Sequence, residues 1–235
     1  MNVLVACEES QEVCKAFRAK GHVAYSCDLQ ECSGGHPEWH IQCNINELLH
    51  TNVVFATCNG VLHIVVKWDL IIAFPPCTYL TMAATRSHSL GTNTEEKIRE
   101  RTYKRIDAME FFLNILNADC DKIAIENPVG IMNSAYRKPD QIINPYQFAS
   151  SVDDTENYQM KTTCLWLKNL PPLVTNDLPK PKPVRSYITK HGKLKNIYFS
   201  ENHGVIDGKK HGGKDATARS KTFSGVAQAM ANQWG

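Results

Sequence analysis

No stretch of the 235-residue chain approaches the roughly 20 unbroken apolar residues a membrane helix needs, so no span is expected. The opening Met-Asn-Val-Leu-Val-Ala also lacks the basic start and long apolar run of a secretory signal, and a cytosolic protein is expected. Internal repeats and coiled-coil heptads are missing too, which excludes solenoids and long rods. An excess of either charge is nearly absent overall: 26 Lys and Arg stand against 24 Asp and Glu, a formal net charge of +2. The nine cysteines are an odd number scattered through apolar segments, which excludes a disulfide framework and predicts free thiols. What remains is a chain with 43% hydrophobic residues, enough for one good-sized core.

The near-neutral balance hides an asymmetry. Residues 168–221 hold 12 Lys and Arg against 4 Asp and Glu, leaving 14 against 20 elsewhere. An acidic body with a basic late segment is the distribution expected where a polyanion docks. Tyr187, Tyr198 and Phe199 among those lysines add stacking surface of the kind nucleic-acid grooves use, although a solvated lysine-rich loop has the same composition.

Short apolar runs alternate with helical periodicity. Residues 2–6 read as a buried strand, and Ser10 to Lys20 follow as a helix through Val13, Ala16 and Phe17, ending at Gly21. His22 to Cys27 read as a second strand closing on Asp28, and Asp69–Ala73 and Lys122–Ile125 as two more. Between these last two, Thr94–Leu116 is an amphipathic helix. Val53–Val66, with Asn59-Gly60 at its middle, predicts a hairpin. Thr162–Leu167 predicts another strand, five prolines from Pro171 to Pro183 predict a stiff irregular connection, and Ser220–Trp234 predicts a closing helix. The pattern predicts an α/β, Rossmann-like sheet: a core of residues 1–168, a short basic segment at 169–218, and residues 219–235 returning to the core.

In such sheets ligands gather at the carboxyl ends of the strands. Three strand ends carry chemistry: Cys7-Glu8-Glu9-Ser10, Phe74-Pro75-Pro76-Cys77 and Glu126-Asn127-Pro128. Pro75 and Pro76 fix two φ angles and hold the Cys77 thiol on a rigid turn, as a nucleophile with a narrow angle of attack requires, though a structural turn with a buried thiol reads the same way alone. A carboxylate at a buried strand tip is costly unless it is paired, capping or working, and Glu126 stands at such a tip.

These residues, in this order, resemble the cytosine-5 DNA methyltransferase family, in particular its small phage and prophage members. Cys32 to His40 and Thr163 to Lys168 carry the same likeness. The resemblance implies that Cys77 attacks C6 of a cytosine flipped out of DNA, that Glu126 holds and protonates N3, and that C5 takes a methyl group from S-adenosylmethionine. It implies base and nucleotide contacts for Gln159 and Lys161, from Gln159-Met160-Lys161, and for Pro76, Asn127 and Pro128. For the methyl donor it implies contacts from Cys7, Glu8, Glu9 and Ser10, from Asp28 and Leu29, from Asn44 and Pro75, and from Ser224-Gly225 at the closing helix. It also implies residence in a bacterial or phage-infected cell. An amino-methyltransferase Asn-Pro-Pro-Tyr loop is a poorer match, because Phe74 offers no acceptor for an amino group and Cys77 no ring to stack.

Three departures stand out. The usual glycine-rich loop is replaced by Cys7-Glu8-Glu9-Ser10-Gln11, Lys161 stands where the family has arginine, and the recognition segment is short. Lysine keeps the charge but loses the planar fork. The same chemistry on a cytidine nucleotide, RNA or a modified base, and a degenerate member that binds DNA without turnover, are the rival readings. Cys32, His36, His40 and Cys43 have spacing that zinc ligands use, but their loop could equally line an adenosine pocket with Trp39 stacking; no metal is the expectation adopted.

Overall fold

A computed structural model describes residues 1–85, 88, 90–189, 192–198, 204–206, 209–211 and 221–235, with backbone alone for 204–206 and 209–211. Its centre is a seven-stranded sheet built from β1 (Asn2–Ala6), β2 (Val23–Asp28), β3 (His40–Gln42), β6 (Leu70–Ala73), β7 (Ile123–Pro128), β8 (Gln141–Ile143) and β9 (Thr163–Lys168). The spatial order is β3-β2-β1-β6-β7-β9-β8. The first five strands are parallel, and β9 runs antiparallel to both β7 and β8. The chain thus winds outward from β1 to one edge and returns to the other, with the switch point between β1 and β6, where doubly wound sheets bind ligands.

Period-2 alternation assigns the two faces. Leu4 and Ala6 of β1, Ile71 and Ala73 of β6, and Ile123 and Ile125 of β7 enter one core. Val3 and Val5, Leu70 and Ile72, and Ala124 enter the other. Helix α1 (Glu12–Ala19) covers the second face through Val13, Cys14 and Phe17, beside the closing helix, labelled α5 below (Ser224–Trp234). The first face is covered by α3 (Glu95–Leu116) through Phe112, Ile115 and Leu116, and by the hairpin of β4 (Val53–Ala56) and β5 (Leu62–Val65). Two one-turn helices, α2 (Met82–Thr85) and α4 (Met132–Ala135), lie in the loops after β6 and β7.

The predicted strands and helices lie where the periodicity puts them, and Gly60 (φ 84°) provides the hairpin turn. Thr94 caps α3 by accepting from the Lys97 amide. The closing helix starts at Ser224, four residues later than its apolar spacing indicated; Ser220 lies outside the described residues, and Lys221–Phe223 are extended or irregular. Two edge strands, β3 and β8, were not foreseen; at three residues each they are too short to show a period.

The irregular proline segment does not leave the core at once. Leu173 is buried, Gln141 exchanges hydrogen bonds with its backbone, and Trp234 donates to the Pro171 carbonyl at 3.0 Å. Beyond it, β10 (Arg185–Ile188) pairs with β11 (Leu194–Ile197), and β12 (Gly204–Ile206) with β13 (Lys209–His211). Tyr187 and Tyr198 sit near Lys195 and Lys180; Phe199 lies outside the described residues. No helix of the described residues is long and apolar enough to cross a membrane.

Candidate functional site

The loops after β6 and β7 are tied together at the carboxyl edge of the sheet. Phe74 continues the β6 pairing by donating its amide to Ala6, and the chain then turns through buried Pro75 and exposed Pro76 to half-buried Cys77. The Cys77 carbonyl accepts from the amides of Leu80 (3.0 Å) and Thr81 (3.1 Å), which closes the turn. From the neighbouring strand, buried Asn127 donates its side-chain amide to the Pro75 carbonyl at 2.8 Å. Proline leaves Pro75 without an amide but with a carbonyl to satisfy, and Asn127 satisfies it from the next strand.

A second clasp lies one turn further on. Ile131 donates its amide to the Leu80 carbonyl at 2.7 Å, and Thr81 bridges Gly130. A Cβ on Gly130 would stand 2.0 Å from that carbonyl oxygen, so only glycine allows the two backbones to approach this closely.

Glu126 projects beside this clasp into a small pocket that is partly open to solvent. Phe74, Lys161, Thr163 and Phe223 share its wall. Burial pushes the Glu126 carboxyl above its ordinary range, while the Thr163 hydroxyl, donating to its Oε1, and the Lys161 charge pull it back down. The net direction is upward, as a carboxyl needs if it is to hold a proton near neutral pH. Lys161 places its ammonium 5.4 Å from the Phe223 ring. Two of the expected residues therefore meet in the pocket, Glu126 and Lys161, while Asn127 faces Pro75 and Pro128 pairs with Thr163 in the sheet. Cys77 stands on the adjoining loop and is not part of the pocket wall. Thr163 and Phe223 were not foreseen, because their contribution depends on β9 and α5 being laid beside β7 and carries no sequence signature.

Gln159 is buried and donates to the carbonyls of Thr155 (3.0 Å) and Glu156 (3.3 Å). Ser224 and Gly225 face Asn157, which bonds the Ser224 hydroxyl and accepts from the Gly225 amide at 2.8 Å. They line a separate, more open pocket with Asp154 and Phe148; it is Phe223 and Val226 that reach Glu126.

The loop after β1 is strained and self-contained. Cys7 (φ 59°) and Gln11 (φ 61°) adopt left-handed conformations that ordinarily favour glycine. Glu8 is buried and turns its carboxylate onto the first turn of α1, accepting from the amides of Val13 (2.7 Å) and Cys14 (3.2 Å). This side chain fills the position that a ligand anion would take at an open helix N-terminus. Burial pushes Glu8 up to about 7 against the pull of those two amides. Glu9 accepts from the Ser33 hydroxyl through Oε2, while its buried Oε1 has no partner among the described residues. Ser10 is buried under Gly34, where a Cβ would stand 2.5 Å from the Ser10 carbonyl.

At the tip of β2, half-buried Asp28 bonds the Gln30 amide at 2.9 Å, and burial together with this carboxylate pushes the adjacent Cys7 thiol up to about 12. Leu29 is exposed, and Asn44 caps the short helical turn 45–48 by accepting from Asn46.

The zinc-like spacing of Cys32, His36, His40 and Cys43 does not converge. Both ring nitrogens of buried His40 are engaged, by the Ser26 hydroxyl and the Gln30 carbonyl, and His36 pairs with Glu38 while stacking on Trp39. Cys43 faces Cys27, with the sulfurs 3.8 Å apart. Among the described residues, no group of three or more His, Cys, Asp or Glu is placed to hold a metal ion.

No protein-family model matches this chain, and no curated protein matches it.

Proposed function

We propose that the chain transfers a methyl group from S-adenosylmethionine to C5 of cytosine in DNA, through a covalent adduct between Cys77 and C6. The observation that carries this reading is the Glu126 carboxyl, raised by burial, in a pocket whose rim is tied by the Asn127–Pro75 hydrogen bond to the loop bearing Cys77.

Cytosine C5 is not nucleophilic while its 5,6 double bond is intact. Addition of the Cys77 thiolate to C6, with the Glu126 proton passing to N3, moves electron density onto C5. After the methyl group joins C5, water takes the C5 proton, the electrons of that C–H bond re-form the 5,6 double bond and expel Cys77 as a thiolate, and N3 returns its proton to Glu126. Lys161 supplies a positive charge beside Glu126 for the base or its nucleotide. Because Cys77 is outside the pocket wall, the reaction requires the 75–79 loop to carry its sulfur over a base flipped into the pocket.

S-adenosylmethionine, when bound, supplies the electrophilic methyl group. The unpaired Oε1 of Glu9 suits its cationic amino group, and Asp28 at the β2 tip suits its ribose hydroxyls. The α1 amides are taken by Glu8, so a methionine carboxylate would have to be held elsewhere than on that first turn.

The test is adduct formation with DNA containing 5-fluorocytosine, which has no C5 proton to lose. A stable adduct that disappears in Cys77→Ser is expected; no adduct, or one that survives that substitution, refutes the mechanism. Glu8 on the helix N-terminus favours one second reading, a chain that binds DNA without turnover. Calorimetric titration with S-adenosylmethionine separates the two, since absence of binding selects the second.

A further inference from the structure

The N-terminal half of α3 lies toward the carboxyl edge of the sheet, because β6 and β7 are parallel and the chain leaves β6 at that edge. Its apolar contacts with the core are concentrated near the other end, at Phe112, Ile115 and Leu116, while Tyr103 and Ile106 remain exposed. What this half offers to the Cys77 loop is positive charge. Arg105 donates Nε to the Tyr79 carbonyl at 3.1 Å, two residues after Cys77, and the Arg101 guanidinium lies 5.4 Å from the Tyr79 ring. His88 approaches from the loop, its Nδ1 3.4 Å from the Thr102 hydroxyl.

Three nitrogens in this cluster are buried without a hydrogen-bond partner among the described residues: Arg101 Nε, Arg105 Nη2 and His88 Nε2. Buried polar atoms are almost always satisfied, by protein, water or an ion, and three unpartnered nitrogens together in one place depart from that rule. Charge points the same way. The two guanidiniums repel each other and the His88 ring, and burial adds to the cost at Arg105 and His88. The nearby carboxylate of Glu100 is already paired with Lys104. Since the Thr102 hydroxyl donates to the Ile98 carbonyl, its oxygen is left to accept from His88 Nδ1, so Nε2 becomes a donor when the ring is protonated.

We propose that Arg101, Arg105 and His88 form a binding site for a phosphodiester of the nucleic-acid strand, adjacent to the Cys77 loop. A phosphate offers acceptor oxygens to Arg101 Nε and Arg105 Nη2, and its charge favours the protonated His88 ring, whose Nε2 then donates as well, so that the repulsion among the three is cancelled. The Arg105–Tyr79 bond then makes phosphate binding and the position of the Cys77 loop one event. The anion site stands on the cluster alone; its assignment to a nucleic-acid strand rests on the proposed function.

The experiment measures binding of a fluorescent DNA duplex to the full chain by anisotropy, without methyl donor, over a range of salt concentrations. Arg101→Gln removes a charge that is repelled in the unbound chain, so it is expected to fold, and its thermal unfolding midpoint checks this. We expect about tenfold weaker binding and a log–log salt slope smaller by about one, the change for one lost phosphate contact. Arg101→Lys, which keeps the charge and loses Nε, should weaken binding with little change in slope, and carries the test if the glutamine variant unfolds. An unchanged slope and affinity in Arg101→Gln, or unchanged affinity in Arg101→Lys where that variant decides, overturns the proposal. So does inorganic phosphate that raises the midpoint of wild type but not of the variant while duplex binding is unaffected, because the site then takes free phosphate. The readout needs no methyl transfer: a failed 5-fluorocytosine adduct with a reduced slope removes the proposed reaction and keeps this site, and the reverse outcome removes the site alone.

Discussion

Replacing Glu8 by glutamine tests whether the loop after β1 is organised by its own carboxylate. Folding moves this group from its ordinary 4.5 to about 7, because burial outweighs the two helix amides that favour its charged form. The folded chain therefore binds the Glu8 proton more tightly than the unfolded chain does. Its contribution to stability is fully present below about pH 4.5 and is lost as pH rises through about 7. By linkage the difference is worth about 3 kcal/mol between those limits. Glutamine cannot ionise, so the variant lacks this slope. It keeps one oxygen for the Val13 amide and weakens the bond to Cys14, a loss of about 1 kcal/mol. The variant should be slightly less stable than wild type at pH 5 and about 2 kcal/mol more stable at pH 8, or about 4–8 °C in Tm for a chain of this size. Urea and thermal unfolding of both proteins at pH 5, 6, 7 and 8 provide the comparison, and groups common to both cancel. Parallel stability curves across that range would show that Glu8 does not titrate in this window, and the account of the loop would fail.

The carboxyl pocket and the loop clasp give two further tests. Thr163→Val removes a hydrogen bond that lowers Glu126, so the Glu126 pKa should rise further. If Glu126 acts as an acid, the alkaline limb of the pH profile for 5-fluorocytosine adduct formation moves to higher pH; a shift to lower pH contradicts the assignment. Gly130→Ala forces a Cβ onto the Leu80 carbonyl and should cost about 1–3 kcal/mol as the two loops separate, read from the urea midpoint. An unchanged midpoint would show that the loops part freely.

Periodicity alone located the strands at 2–6, 69–73 and 122–125 and the helices on either side, because each must bury a continuous face and the burial leaves its period in the sequence. The same logic put Cys77 beyond the end of β6, since residues that follow a buried run in an α/β sheet emerge at its rim; Glu126, expected after its strand, instead lies within β7, because pairing with β9 extends that strand to Pro128. Asn59-Gly60 fixed the hairpin through a purely local conformational demand. Other features depend on parts of the chain far apart in sequence. Asn127 reaching Pro75, Thr163 reaching Glu126, and Phe223 closing the pocket over Lys161 follow from strands and helices being laid side by side, and no local pattern encodes such neighbours. The left-handed Cys7 and Gln11 were equally hidden, because a non-glycine residue in that conformation is held there by surrounding packing. Arg101 and Arg105 read in sequence as part of an ordinary solvated helix face; only the packing of α3 against the Cys77 loop buries their nitrogens beside His88, where desolvation turns scattered surface charge into a site for an anion.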